Sequence, residues 1–191
     1  MKKPFDPTDS DTTSKFIFDE SDIRGETVHL QKTYSDVMAA QLYPDAIARL
    51  LGEFLAAVTL LSTTIKFEGT LSLQATSDEG VSLIMAQCSS EQEIRAIVRG
   101  FEDLGGDSFT AMLGGGLLAI TIEPKEGTRY QGLVSLEGET LAEALEAYFE
   151  QSEQLPTKLW LASNGKQCAG LLLQQLPSQL TVEPTERIEQ W

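Results

Sequence analysis

Between Pro44 and Thr64 the chain writes a helix with almost no wet side. Ile47, Leu50, Leu51, Phe54, Leu55, Val58 and Leu61 recur at three- and four-residue steps. Ala46, Ala48, Ala56 and Ala57 fill the remaining faces, and charge is sparse. Pro44 suits the opening of such a helix, where a missing N–H costs nothing. A helix that is apolar nearly all round must be enclosed by other elements. The flanking sequence supplies strands for that purpose. The expected fold is therefore α+β, with antiparallel-rich sheets packed around a central buried helix.

The strands are read from alternation. Phe16 to Phe18 and Glu26 to Leu30 form an expected first pair, with Asp22 and Gly25 in the turn. A short helix is expected from Tyr34 to Leu42. Thr70 to Thr76 alternates cleanly, and Val81 to Gln87 returns as a hairpin partner after Asp78-Glu79-Gly80. Residues 91–100 read two ways: Ser90 and Glu93 offer a capping box, while Ile94, Ala96 and Val98 alternate with arginines. Phe109 to Leu113 reads as a helical turn ended by Gly114–Gly116. Leu117 to Ile122 is an apolar strand with Tyr130 to Leu136 as its antiparallel partner. Thr140 and Glu143 cap a helix whose stripe is Leu141, Leu145, Tyr148 and Phe149. Asn164-Gly165 is the strongest hairpin signal, between Lys158–Ala162 and Ala169–Leu176.

Residues 1–14 are polar, with prolines and aspartates, and read as a disordered arm. Residues 15–177 read as one domain, and 178–191 as the start of a polar linker. The net charge of −15 makes nucleic acid and anionic membrane poor partners. No secretory signal is evident behind Lys2 and Lys3, because prolines and aspartates follow instead of an apolar stretch. No uninterrupted apolar run reaches the roughly 18 residues that span a bilayer.

Candidate chemistry is thin. Gly114–Gly116 is a possible phosphate-cradling loop, but a strand rather than a helix follows it and no Gly-Lys-Ser/Thr ending is present. It keeps open an alternative reading as a small-molecule-binding or enzymatic α+β domain, against a flexible turn. His29 is the sole histidine and sits mid-strand without a nucleophile pattern. Cys88 and Cys168 lie 80 positions apart and have no metal-ligand spacing, so the expectation is two buried, reduced thiols and no metal. Cys88 becomes a reactive thiol only if a helix begins just after it. With no catalytic constellation, the reading is a non-enzyme with a binding role.

Six stretches carry a family resemblance. They are Ile23-Arg24-Gly25-Glu26, Leu60 to Gly69, Thr121-Ile122-Glu123-Pro124, Arg129-Tyr130-Gln131-Gly132, Tyr148 to Thr157, and Ala169 to Gln174. In this order they resemble the redox-regulated heat-shock holdases, the thirty-three-kilodalton cytoplasmic chaperone family of bacteria. The resemblance covers most of the chain and favours a strand for residues 91–100. It implies an ATP-independent chaperone core that binds unfolding proteins and dimerises when active, in the cytoplasm. It also implies a zinc-binding switch of four cysteines in CxC and CxxC pairs in the parent protein. Cys88 and Cys168 do not match that switch, so this chain is expected to hold no zinc and to represent the core alone.

A holdase needs exposed apolar area. The strands that read as apolar on both faces place it at Val81, Leu83, Met85, Leu118, Ile120 and Ile122, as client-binding or homodimer surface. Burial of a few hundred Å² at roughly 25 cal/mol per Å² is enough to hold a client.

Overall fold

The computed structural model describes residues 11–18, 21–65, 68–102, 104–152 and 154–176. The expected linker at 178–191 and the first ten positions of the arm lie outside them. Chain order is β1 Asp11–Ile17, β2 Ile23–Leu30, α1 Lys32–Met38, α2 Asp45–Thr64, β3 Gly69–Thr76, β4 Leu83–Ser89 and β5 Ile94–Arg99. Then follow α3 Phe109–Leu113, β6 Leu117–Pro124, β7 Tyr130–Ser135, α4 Leu141–Ser152, β8 Thr157–Ser163 and β9 Cys168–Gln175.

Two antiparallel sheets enclose α2. One has the order β1-β2-β9-β8 and the other β5-β4-β3-β6-β7. α2 packs on β2, β8 and β9 on one side and on β3, β4 and β5 on the other. Ile47, Leu51, Phe54, Leu55, Val58 and Leu61 are completely buried between them. By length and hydropathy α2 would also pass for a membrane span, but 78% of that window is enclosed by the sheets, as in a core helix. α4 packs on β7 and β8, the edge strands of the two sheets, and closes one side. The α+β expectation with its central helix is thus the observed fold.

α2 contains Gly52, against which the β8–β9 hairpin and α1 both close. A Cβ built there would stand 2.3 Å from Ser163 Oγ and 2.8 Å from the Tyr34 ring. The glycine costs helix propensity but lets three elements meet.

Four local expectations need correction. The arm does not extend to residue 14, because β1 begins at Asp11. Asp11 Oδ1 accepts from the N–H groups of Gln31 (2.8 Å) and Lys32 (2.9 Å), and Oδ2 from the Thr33 N–H (3.0 Å) and hydroxyl (2.7 Å). Burial raises the Asp11 pKa, but these donors outweigh it and hold it below the usual range. The carboxylate thus caps α1 from β1 and pins the start of that strand. Gly25 is not in a turn; it pairs with Phe16 inside the sheet, and the Phe18 N–H bonds to the Ile23 carbonyl (3.1 Å) where β1 meets β2. Val81 precedes β4, drawn off the strand by its N–H bond to the Met112 carbonyl (2.7 Å). α1 ends at Met38, short of the expected Leu42.

The ambiguous residues 91–100 form strand β5. Ser89 Oγ accepts from the N–H groups of Glu91 and Glu93, both at 3.1 Å, and Gln92 takes a positive φ of 64°. Those bonds make a tight β-turn where a helix cap was the alternative.

Candidate functional site

The residues of the resemblance motifs meet inside the molecule. Arg24 donates from Nε (3.0 Å) and a terminal nitrogen (2.6 Å) to Gln174 Oε1. Gln174 Nε2 donates to Thr157 Oγ1 (2.9 Å), and Thr157 donates to the Leu155 carbonyl (2.9 Å). Glu26 is 1% exposed, accepts from the Thr63 hydroxyl at the end of α2, and faces Lys15 Nζ at 3.4 Å. In Arg129-Tyr130-Gln131-Gly132, a Cβ on Gly132 would lie 2.4 Å from the Tyr148 ring. The Tyr148 hydroxyl donates to that of Tyr130 (3.1 Å). These motifs are structural joints between β2, β9, β7 and α4, and they bring together no nucleophile and base.

The other polar candidates fare likewise. His29 sits in β2 between Thr12 and Ala169. In the Gly114–Gly116 run, the Gly114 N–H bonds to the Thr110 carbonyl (2.8 Å) and the Gly116 N–H to the Leu113 carbonyl (3.1 Å). Two of the three amides a phosphate would need are spent within the fold. Cavities of about 880, 370 and 160 Å³ all have other linings.

Both thiols are buried and lie in different sheets, Cys88 on β4 and Cys168 on β9. Burial raises Cys88 against a hydrogen bond to Ser62, and burial followed by the charge of Asp11 pushes Cys168 up to about 12. No helix begins after Cys88 to reverse this. Among the described residues no cluster of three or more His, Cys, Asp or Glu is arranged around a metal position. Two thiols in separate sheets do not fit the four-thiolate zinc site that the resemblance implies for the parent protein.

The smallest of the three cavities holds a titrating group. Glu53 of α2 lies there with Arg49, Asp107 and Glu139. Burial pushes its pKa from 4.5 to about 7, against the pull of Arg49. A carboxyl raised on folding contributes stability below its unfolded pKa and loses it as pH rises through the folded value. Glu53→Gln is therefore expected to stabilise the domain by about 1–3 kcal/mol near pH 8 and by close to nothing near pH 4. Urea melts at the two pH values check this, and a gain independent of pH would contradict it.

Apolar surface is where the molecule stands out, though not at all the expected residues. Val81, Leu118 and Ile120 are completely buried, and Ile122 packs against the core. Val81, Leu118 and Ile120 are corrected: they lie in the core and cannot touch a client, while Ile122 is partly buried against it. Leu83 and Met85 do lie on the outer face of the five-stranded sheet, half-buried. Ile97, Ala119 and Leu133 fall in register with Met85, and Leu117 stands one row on. Gln74 and Thr76 of β3 divide this face into two apolar halves.

The outer face of the four-stranded sheet is more continuous. Leu171 pairs with Trp160, and Leu173 lies across Gly25 from Phe16. Phe16, Phe18 and Trp160 are 38%, 48% and 53% exposed, and Phe16 meets Phe18 edge-on with ring centroids 5.7 Å apart. Ile23 extends the face, and the groove of about 880 Å³ opens there, between the sheet and α4. The sequence reading missed this face. Its signal was the parity of Leu171 and Leu173 against the buried Leu172 and Gln174.

Comparison with known proteins follows the same lines. The family model described as Hsp33 protein matches residues 11–190. The 33 kDa chaperonin of Pseudomonas aeruginosa is 47% identical over 184 residues, covering 95% of this chain and 62% of the relative. That of Pseudomonas syringae pv. tomato is 49% identical over 185 residues, covering 96% and 62%. This chain therefore spans less than two thirds of the length of these relatives. The crystal structure of the 33 kDa chaperonin (heat shock protein 33 homolog) from Thermotoga maritima superposes with a TM-score of 0.74 at 21% identity, covering 91% of this chain and 63% of that one. It shares the fold. By the extent of the family match and the identity to its relatives, the chain belongs to the Hsp33 family.

Proposed function

We propose that this chain is an ATP-independent holdase core that binds unfolding proteins on the outer face of its four-stranded sheet. The observation that carries this is the row of Phe16, Phe18, Trp160, Leu171 and Leu173, which no described element covers. Scattered surface apolar residues are ordinary, but a contiguous patch with three exposed aromatics marks an interaction surface. Contact over on the order of 300 Å² is worth about 7 kcal/mol before the costs of association. That suits loose, reversible capture without turnover. The names of its relatives, chaperonins, support the same reading, as does the lack of any assembled catalytic group among the described residues. The net charge of −15 keeps such a patch soluble and disfavours nucleic acid. The setting is the cytoplasm.

The test is light scattering of a heat-denatured client, without nucleotide, at increasing molar ratios of this chain. Suppression is expected, and its absence at a several-fold excess overturns the proposal.

The divided outer face of the five-stranded sheet, with Leu83, Met85, Leu117 and Leu133, is the proposed face for a homodimer through a two-fold axis. A strict monomer near 20.9 kDa in sedimentation equilibrium at high micromolar concentration would exclude it.

Client protection by this chain should not respond to redox conditions. Thiolate is the reactive form of cysteine, and burial disfavours it at both Cys88 and Cys168. Neither thiol should be alkylated by iodoacetamide in the folded protein, while both react in urea. A several-fold gain in protection on peroxide treatment would contradict this. Elemental analysis should find no stoichiometric zinc.

A further inference from the structure

The groove on the proposed client face has one charged wall. α4 turns Glu143, Glu146 and Glu150 toward it, three and four positions apart and so on one helix face. Facing them, among the described residues, stands one cation, Lys158, with Nζ 2.6 Å from Glu146 Oε2. Glu146 is also held by the fold, since its Oε1 accepts the Leu159 N–H (2.9 Å). Glu143 accepts the Glu139 N–H (2.7 Å). Glu150 is exposed and has no ion pair among the described residues. The hydrogen bond to Glu146 raises the pKa of Lys158, and the charges of Glu146, Glu150 and Glu143 add to it. The fields of three carboxylates thus converge on a position that already holds an ammonium group, and negative charge remains in excess. The floor is apolar, with Ile23, Pro156 and Leu173, and Trp160 offers an open ring beside it.

We infer that this groove selects, among unfolded segments, those in which an arginine or lysine stands beside apolar residues. The cation would lie over Trp160, within the field of Glu143 and Glu150. Its methylene stem and its neighbours would cover Leu173, Ile23 and Pro156. Acidic segments are repelled. The inference rests on the holdase reading for its class of ligand and adds a charge preference to it.

The test uses the full chain carrying Trp191→Phe, which leaves Trp160 as its one tryptophan. Three peptides of equal length and apolar content, bearing arginine, glutamine or glutamate beside the apolar residues, are titrated against Trp160 emission. The arginine peptide should bind about five- to tenfold tighter than the glutamine peptide, with the glutamate peptide weakest. In Glu143→Gln/Glu150→Gln the preference should fall to within about twofold, as it should in about 0.5 M salt. Glutamine at 143 keeps the acceptor for the Glu139 N–H, and a thermal melt verifies that the variant is folded. Equal affinities for the three peptides, or a preference unchanged in the folded double variant, overturn the inference. Client protection is measured in parallel. Protection without a peptide preference retains the holdase and discards this inference. A preference without protection retains the charge-selective groove and discards the holdase.

Discussion

Ile120→Asp should leave no folded domain, while Leu117→Asp on the same strand should fold normally. Ile120 is 0% exposed and lies in register between Leu73 and Gly132, on the face turned to the core. Removing the buried isobutyl-sized side chain costs about 2–5 kcal/mol through lost burial and cavity. A carboxylate put there without a partner adds several kcal/mol more. The total reaches the roughly 5–15 kcal/mol that holds a domain together. Leu117 has the opposite parity and is 50% exposed, so an aspartate there stays in water. Circular dichroism and urea melts distinguish the two. A cooperative transition in Ile120→Asp would mean that the facing of β6 is wrong.

Gly52→Val should lower stability by about 2–3 kcal/mol, because the new side chain enters space already occupied by Ser163 and Tyr34. In a domain of this size that is a fall in Tm of roughly 4–12 °C. Helix propensity alone predicts the opposite sign, since almost any residue is better than glycine mid-helix. The close approach of α1, α2 and the β8–β9 hairpin decides the outcome. Ser163→Gly in the same chain should recover part of the loss, as expected of residues in contact. A variant as stable as the parent would show that this junction is loose.

Which parts of the fold were legible follows from where local signals act alone. α2 was readable because its apolar residues surround the axis, a pattern that only a core helix carries. Asn164-Gly165 placed the last hairpin, where Asn164 Oδ1 accepts from the N–H groups of Lys166 and Gln167 and Gly165 takes a φ of +80°. β1 was partly missed because its anchor is not local: Asp11 is held by the N-terminus of α1, some twenty residues on. The expected apolar surface at Leu118 and Ile120 proved to be core for a related reason. Leu117 to Ile122 is apolar at nearly every position, so alternation does not say which side is buried. Only pairing with β3, whose Leu71 and Leu73 face α2, fixes the parity. On β9 the same ambiguity hid Leu171 and Leu173, and the partner that reveals them, Trp160, lies on the far side of a hairpin.

The outer face of the four-stranded sheet is most directly tested by Phe18→Asp/Trp160→Asp. Both side chains are about half exposed, so the double variant should melt within a few degrees of the parent. Its protection of a heat-denatured client, read by light scattering without ATP, should fall several-fold, while Leu117→Asp on the other sheet retains most of it. Full protection by the folded Phe18→Asp/Trp160→Asp variant would contradict the assignment of clients to this face.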